Sequence, residues 1–177
     1  MSYFNIVSQS DESTVVTEYK PQAKRSEVYQ SEADLEKEFI RLLCELGYER
    51  LAIHKETDLI ANLRTQLEKL NDYRFTDGEW QRFWNEVLAN SNSGILEKTR
   101  LIQEDYVQVL RRDSGESKNI QLIDKKCIHH NSLQVIHQYA ISAKEGAAHD
   151  NRYDVTVLVN GLPLVHIELK RRGVPIR

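Results

Sequence analysis

Three side chains near the C-terminal end have types and spacing suited to chemistry. Asp154, Glu168 and Lys170 punctuate the stretch "NRYDVTVLVNGLPLVHIELKRR", residues 151–172. Charged groups are seldom buried unless they are paired or bind something. Here they flank two strongly apolar runs, "VTVLV" and "PLVHI". Two carboxylates and an amine on one face of neighbouring strands suit metal-assisted hydrolysis. Hard oxygen ligands favour Mg²⁺, and such an ion polarises a phosphate and acidifies a bound water. A lysine two residues after Glu168 shares its face and can orient that water or neutralise developing charge. A plain surface ion pair between Glu168 and Lys170 is the alternative that spacing alone leaves open.

Placing these side chains on one face makes a demand on the hairpin that carries them. Strand side chains alternate, so Val155, Val157 and Val159 share one face, and Val165, Ile167 and Leu169 share a face of the partner strand. These six are the expected buried side. Asp154 and Thr156 then point the other way, with His166, Glu168 and Lys170. A two-residue Asn160-Gly161 turn would pair Asp154 with Ile167 and break both stripes. A three-residue loop with Gly161 in the left-handed conformation restores one acidic and one apolar face. Pro163, which cannot donate to a ladder, fits a loosened start to the second strand.

Upstream, the periodicity is helical. "SEADLEKEFIRLLCELGY" predicts a helix with Ser31 as N-cap, an apolar stripe of Leu35, Phe39, Leu42, Leu43 and Leu46, and a stop at Gly47. Cys44 falls within that pattern and reads as a small core residue. Three further helices are predicted in "TDLIANLRTQLEKLN", "TDGEWQRFWNEVLAN" and "SGILEKTRLIQE". From Tyr106 the pattern alternates. "YVQVLRR" and "KNIQLID" flank a "DSGES" turn, and "SLQVIHQYAI" reads as a strand leading to the final hairpin. Helices followed by a mostly antiparallel meander argue an α/β or α+β fold around one sheet. Residues 1–28 read as an extended lead-in and 29–177 as one domain.

Composition narrows the function classes. The 177 residues are 40% hydrophobic and 29% charged, with a net charge of −3, so no global basic field marks a polyanion binder. Lys170, Arg171, Arg172 and Arg177 form a local basic patch that could meet DNA. Two cysteines make no disulfide framework and fit a reducing cytoplasm. The N-terminus has no signal-peptide pattern, and no segment is long and apolar enough to span a bilayer. The six histidines have no Cys partners at zinc spacing and no H-E-x-x-H occurs. His166, which shares the acidic face, is the one that could touch DNA or a ligand.

Asp154, an intervening hairpin and Glu168-Leu169-Lys170 resemble the PD-(D/E)xK nuclease superfamily, with Tyr153 in place of the proline. The surrounding "NRYDVTVLVNGLPLVHIELKRRGVPIR", with "YQSEADLEKEFIRLLCELGYE", "GILEKTR" and "LIDKK", is similar to the N-terminal region of the R subunit of type I restriction enzymes. The resemblance runs from about Tyr29 to the last residue. It implies a restriction-endonuclease-like core, a central mixed sheet flanked by helices, and Mg²⁺-dependent cleavage of double-stranded DNA. It also implies assembly with methyltransferase and specificity subunits. Under it, Asp154 and Glu168 are metal ligands, Leu169 contributes its backbone carbonyl, and Lys170 is the catalytic lysine. An acidic residue on the first helix often completes such sites, and Glu32 and Glu36 are the candidates. The family's Gln-x-x-x-Tyr helix and an ATP-binding phosphate loop are not in this sequence, so the expectation is a truncated R subunit whose ATP-driven motor is missing. Two other readings stand beside this one: a non-catalytic docking module of the same complex, and a stand-alone repair-type nuclease.

Overall fold

The computed structural model describes residues 4–9, 15–19, 31–141 and 151–170. The chain divides into two compact units at Gln30/Ser31. In the first unit, within the segment expected as a lead-in, strands β1 (Phe4–Gln9) and β2 (Val15–Tyr19) pair antiparallel.

The second unit is α+β. Helix α1 spans Glu32–Glu45, and the Ser31 hydroxyl accepts from the Asp34 N–H, satisfying one orphan donor of the first turn. The chain leaves α1 through Gly47 at φ +94° and forms a two-residue strand, β3 (Glu49–Arg50). Helix α2 (Glu56–Asn71) follows, then α3 (Asp77–Phe83), which continues into a π-helical turn at Trp84–Leu88. Thr76 and Glu79 form a reciprocal capping box at the start of α3. Helix α4 (Ile95–Gln103) leads to the hairpin β4 (Val107–Arg111) and β5 (Ser117–Gln121). Strands β6 (Leu133–Ile141), β7 (Asn151–Val159) and β8 (Leu162–Ile167) complete the unit.

The sheet that carries the acidic residues is mixed, in the order β3-β6-β7-β8, with β3 parallel to β6 and the others antiparallel. Its two faces are both covered. On one, Val135, Val155 and Val157 pack with Ile40 and Leu43 of α1, joined by Ile167 and Leu169. On the other, Ile136 and Leu158 pack with Ile53, Tyr139 and Leu59. The largest cluster lies beside the sheet, where Leu63 and Leu67 of α2 meet Phe75, Trp80, Phe83, Leu110, Ile120 and Leu162.

Several sequence expectations need correction. The β4–β5 hairpin forms its own two-stranded sheet rather than joining a single one, because Leu110 and Ile120 are buried against the α2–α3 cluster instead. The buried face of α1 is Glu36, Ile40 and Leu43. Leu42 and Leu46, predicted for the core stripe, are exposed, and so is Cys44. The sheet selects one helical face, and the apolar side chains of α1 spread wider than that face. Val165, expected to be buried, is 48% exposed.

The largest correction concerns the last hairpin. Val159 pairs directly with Leu162 across Asn160-Gly161, so the connection is a two-residue turn and not a three-residue loop. Both turn residues have positive φ, at 50° and 81°, as the favoured hairpin turn requires. The missing residue is restored beyond the turn. Leu158 pairs with Pro163 but Val157 pairs with Val165, so Leu164 is an extra residue in a bulge next to the proline. From there the ladder runs Val157 with Val165, Thr156 with His166 and Val155 with Ile167. The even register required by the two stripes therefore exists where the acidic residues sit, produced by a bulge instead of a longer loop.

Candidate active site

Strand β8 ends at Ile167, and the Glu168-Leu169-Lys170 segment leaves it beside Asp154. Continuing the Val155–Ile167 pairing by one residue sets Asp154 opposite Glu168. The contact that fixes this corner is a hydrogen bond of 2.7 Å, in which the Leu169 N–H donates to Asp154 Oδ2. The Leu169 side chain is half-buried against the α1 cluster, while Glu168 and Lys170 on either side of it are exposed. Packing of the middle residue thus aims its two charged neighbours outward. Lys170 Nζ donates to Glu168 Oε1 at 3.3 Å. That bond and the Glu168 charge raise the lysine above its ordinary range, and the charges of Glu32 and Asp154 add to the effect. Lys170 is therefore a protonated cation at neutral pH, suited to balancing negative charge and unsuited to removing a proton.

The two helix acids have different surroundings. Glu32, in the first turn of α1, contributes to the field at Lys170. Glu36, one turn later, is buried, and its Oε2 accepts from Gln138 Nε2 at 3.3 Å. Its Oε1 has no hydrogen-bond partner. Gln138 is held at φ +52°, a conformation uncommon outside glycine, at the position of β6 that faces Asp154 in the β6–β7 register. Glu32 thus belongs to the Lys170 corner and Glu36 to the β6 side. Arg171 and Arg172, expected to contact DNA, lie outside the described residues.

Mg²⁺ was the expected cofactor. Among the described residues no group of three or more His, Cys, Asp or Glu side chains is arranged to hold a metal. The corner offers instead two carboxylates and the Leu169 carbonyl, all hard oxygen donors. This fits Mg²⁺, which keeps several waters and takes one or two protein carboxylates beside substrate phosphates.

Sequence reasoning missed what adjoins the corner. The Tyr153 and His166 rings stack at 4.0 Å between centroids with 16° between planes. Thr156 Oγ1, itself buried, lies 3.0 Å from His166 Nδ1. Partial desolvation of the exposed His166 ring, stacked on Tyr153, lowers its pKa, so the ring is neutral at neutral pH. The residue paired with His166 is Thr156, three positions from Tyr153, so no cross-strand pairing rule announces this stack. At the other end of the hairpin, Asn160 is buried. Its Oδ1 accepts from the Ser132 N–H, and its Nδ2 donates to Leu122 O and Asn131 Oδ1.

Comparison with known proteins identifies the family of the chain. Residues 29–177 match the family model of the type I restriction enzyme R protein N terminus. The chain is 45% identical over 172 residues to the type I restriction enzyme EcoprrI endonuclease subunit of Escherichia coli, covering 97% of this chain and 54% of that protein. It is 39% identical over 153 residues to the SauMSSORF170P endonuclease subunit of Staphylococcus aureus strain MSSA476. A 38% match over 154 residues links it to the SsaAORF53P endonuclease subunit of Staphylococcus saprophyticus. Each staphylococcal match takes in 84% of this chain but 16% of the relative. The chain thus spans about half of one curated relative and a small part of the others, and it belongs to the type I restriction enzyme R protein N-terminal family.

Proposed function

We propose that this region is the DNA-cleaving domain of an R subunit and hydrolyses phosphodiester bonds of double-stranded DNA with Mg²⁺. The observation that carries the reading is the Leu169 N–H bond to Asp154, because it brings the first carboxylate to the Glu168-Leu169-Lys170 segment. Asp154, Glu168 and the Leu169 carbonyl would hold the ion, which when bound polarises the scissile phosphate and acidifies a water beside it. Burial of Leu169 beneath α1 sets the direction of its carbonyl. Lys170, kept protonated by Glu168, neutralises charge that develops on the phosphate. Glu32 is the helix acid that joins this corner, and Arg171 and Arg172 are assigned to the DNA backbone. In the complete protein, ATP serves motor domains elsewhere in the R subunit, and methyltransferase and specificity subunits are the partners. Among the described residues no helix is long and apolar enough to cross a membrane.

The test is metal linkage. Mg²⁺ or Mn²⁺ at a hundredfold excess over its dissociation constant should stabilise the fold by about 2.7 kcal/mol in urea denaturation. Glu168→Ala should remove that gain. No metal-dependent stabilisation of the unsubstituted protein, or full stabilisation of the variant, would refute the assignment.

A further inference from the structure

A groove of about 620 Å³ opens on the α2 side of the β3-β6-β7-β8 sheet. His166 of β8 lines it and stands two residues before Glu168, so the groove begins where the candidate site ends. Its rim carries Lys55, Lys98 and His54 against a single acid, Glu56. All four of these side chains are exposed. The floor is apolar, built from α2 side chains beside Trp84. Trp84 opens the π-helical turn, a local widening of helix geometry that recurs at functional sites. The Tyr153–His166 stack extends the aromatic surface from the groove to Asp154.

A duplex hides its bases and offers phosphates to an approaching protein, which favours a flat basic surface. An unpaired strand offers both phosphates and the faces of its bases. Such strands are held where cations track the backbone and aromatic rings receive the bases. A concave apolar recess with an aromatic wall and a cationic rim matches the second case. We propose that this groove holds an unpaired single strand of DNA next to the candidate cleavage site, with a base against Trp84 and phosphates on Lys55 and Lys98. The proposal rests on the nuclease reading above and extends it. In place of a duplex lying wholly on the surface, the strands beside the cut are locally separated.

The experiment measures binding of a short labelled oligothymidylate, and of a duplex of equal length, to the 177-residue chain without divalent ions, so that no cleavage occurs. The single strand should bind more tightly and quench tryptophan fluorescence. Trp84→Phe should remove the quenching while Trp80 still reports an intact fold. In a Lys55→Gln, Lys98→Gln double variant the slope of log affinity against log salt should fall by about 1.4, at roughly 0.7 per phosphate on a single strand. Equal or tighter duplex binding, no oligonucleotide binding, or a slope unmoved by the double substitution would overturn the proposal. Binding of an acidic peptide with no oligonucleotide binding would overturn it too. Mg²⁺ linkage separates the two claims. Linkage present without single-strand preference removes the groove alone, and single-strand binding without linkage removes the nuclease reading and leaves the groove.

Discussion

The two ends of the β7–β8 hairpin are built on opposite terms. At the turn, Gly161 lies so close to α2 that an added Cβ would stand 2.6 Å from Leu63 Cα. Beside it, Asn160 is buried and fully bonded. At the other end, Asp154 accepts from the Leu169 N–H, Lys170 donates to Glu168, and both Glu168 and Lys170 are exposed. One end holds the hairpin in place. The other presents charge at little cost to stability. Stabilising contacts and exposed charged groups are therefore separated along a single hairpin, and substitutions at its two ends should fail in different ways.

The largest effect is expected at the turn. Gly161→Ala places a side chain at φ +81° and against the α2 backbone, which should cost about 3 kcal/mol in urea denaturation. Asn160→Gly keeps the left-handed conformation and deletes the side-chain bonds to Ser132, Leu122 and Asn131. It should cost about 2 kcal/mol, because buried partners lose their hydrogen bonds. By contrast, Glu168→Gln should change metal-free stability by no more than about 0.5 kcal/mol, since it removes only an exposed ion pair. A large loss there would erase the distinction between the ends.

The smallest effect concerns pH. Burial depresses the His166 pKa below its ordinary 6.5 in the folded protein. The unfolded chain therefore takes the proton first. The resulting stability is full above the unfolded value and is lost as pH falls through the lower, folded value. The ring is more than a third exposed, so the loss should stay below about 1 kcal/mol. His166→Gln should flatten the stability profile between pH 6.5 and more acidic values. An unchanged profile would show that the site end is more open than its stacked rings imply.

Much of this arrangement is written locally in the sequence. The Asp154 and Glu168-x-Lys170 spacing, the Ser31 cap and the long apolar helices each rest on a few neighbouring residues. What could not be read depends on distant ones. The turn takes two residues because Gly161 must pass the α2 backbone, and the bulge at Leu164 then restores the register. Two compensating irregularities leave the same parity as one longer loop, so the stripes gave the register beside Asp154 correctly but misjudged the turn and the burial of Val165 and Thr156. Strand β3 is two exposed polar residues and has no hydrophobic pattern to reveal it. Leu42, Cys44 and Leu46 satisfy helical spacing, and only the position of the sheet shows that they face away from the core. The different surroundings of Glu32 and Glu36 likewise depend on the placement of α1 against β6 and Lys170.

The most direct test of the account is DNA cleavage by a complete R subunit carrying Glu168→Ala, assembled with the methyltransferase and specificity subunits proposed as its partners. The account predicts that the assembly still hydrolyses ATP and no longer cuts DNA, because the substitution removes a proposed metal ligand from a corner that contributes little to the fold. Cleavage that survives in this variant would contradict it and would make the acidic corner a docking surface instead.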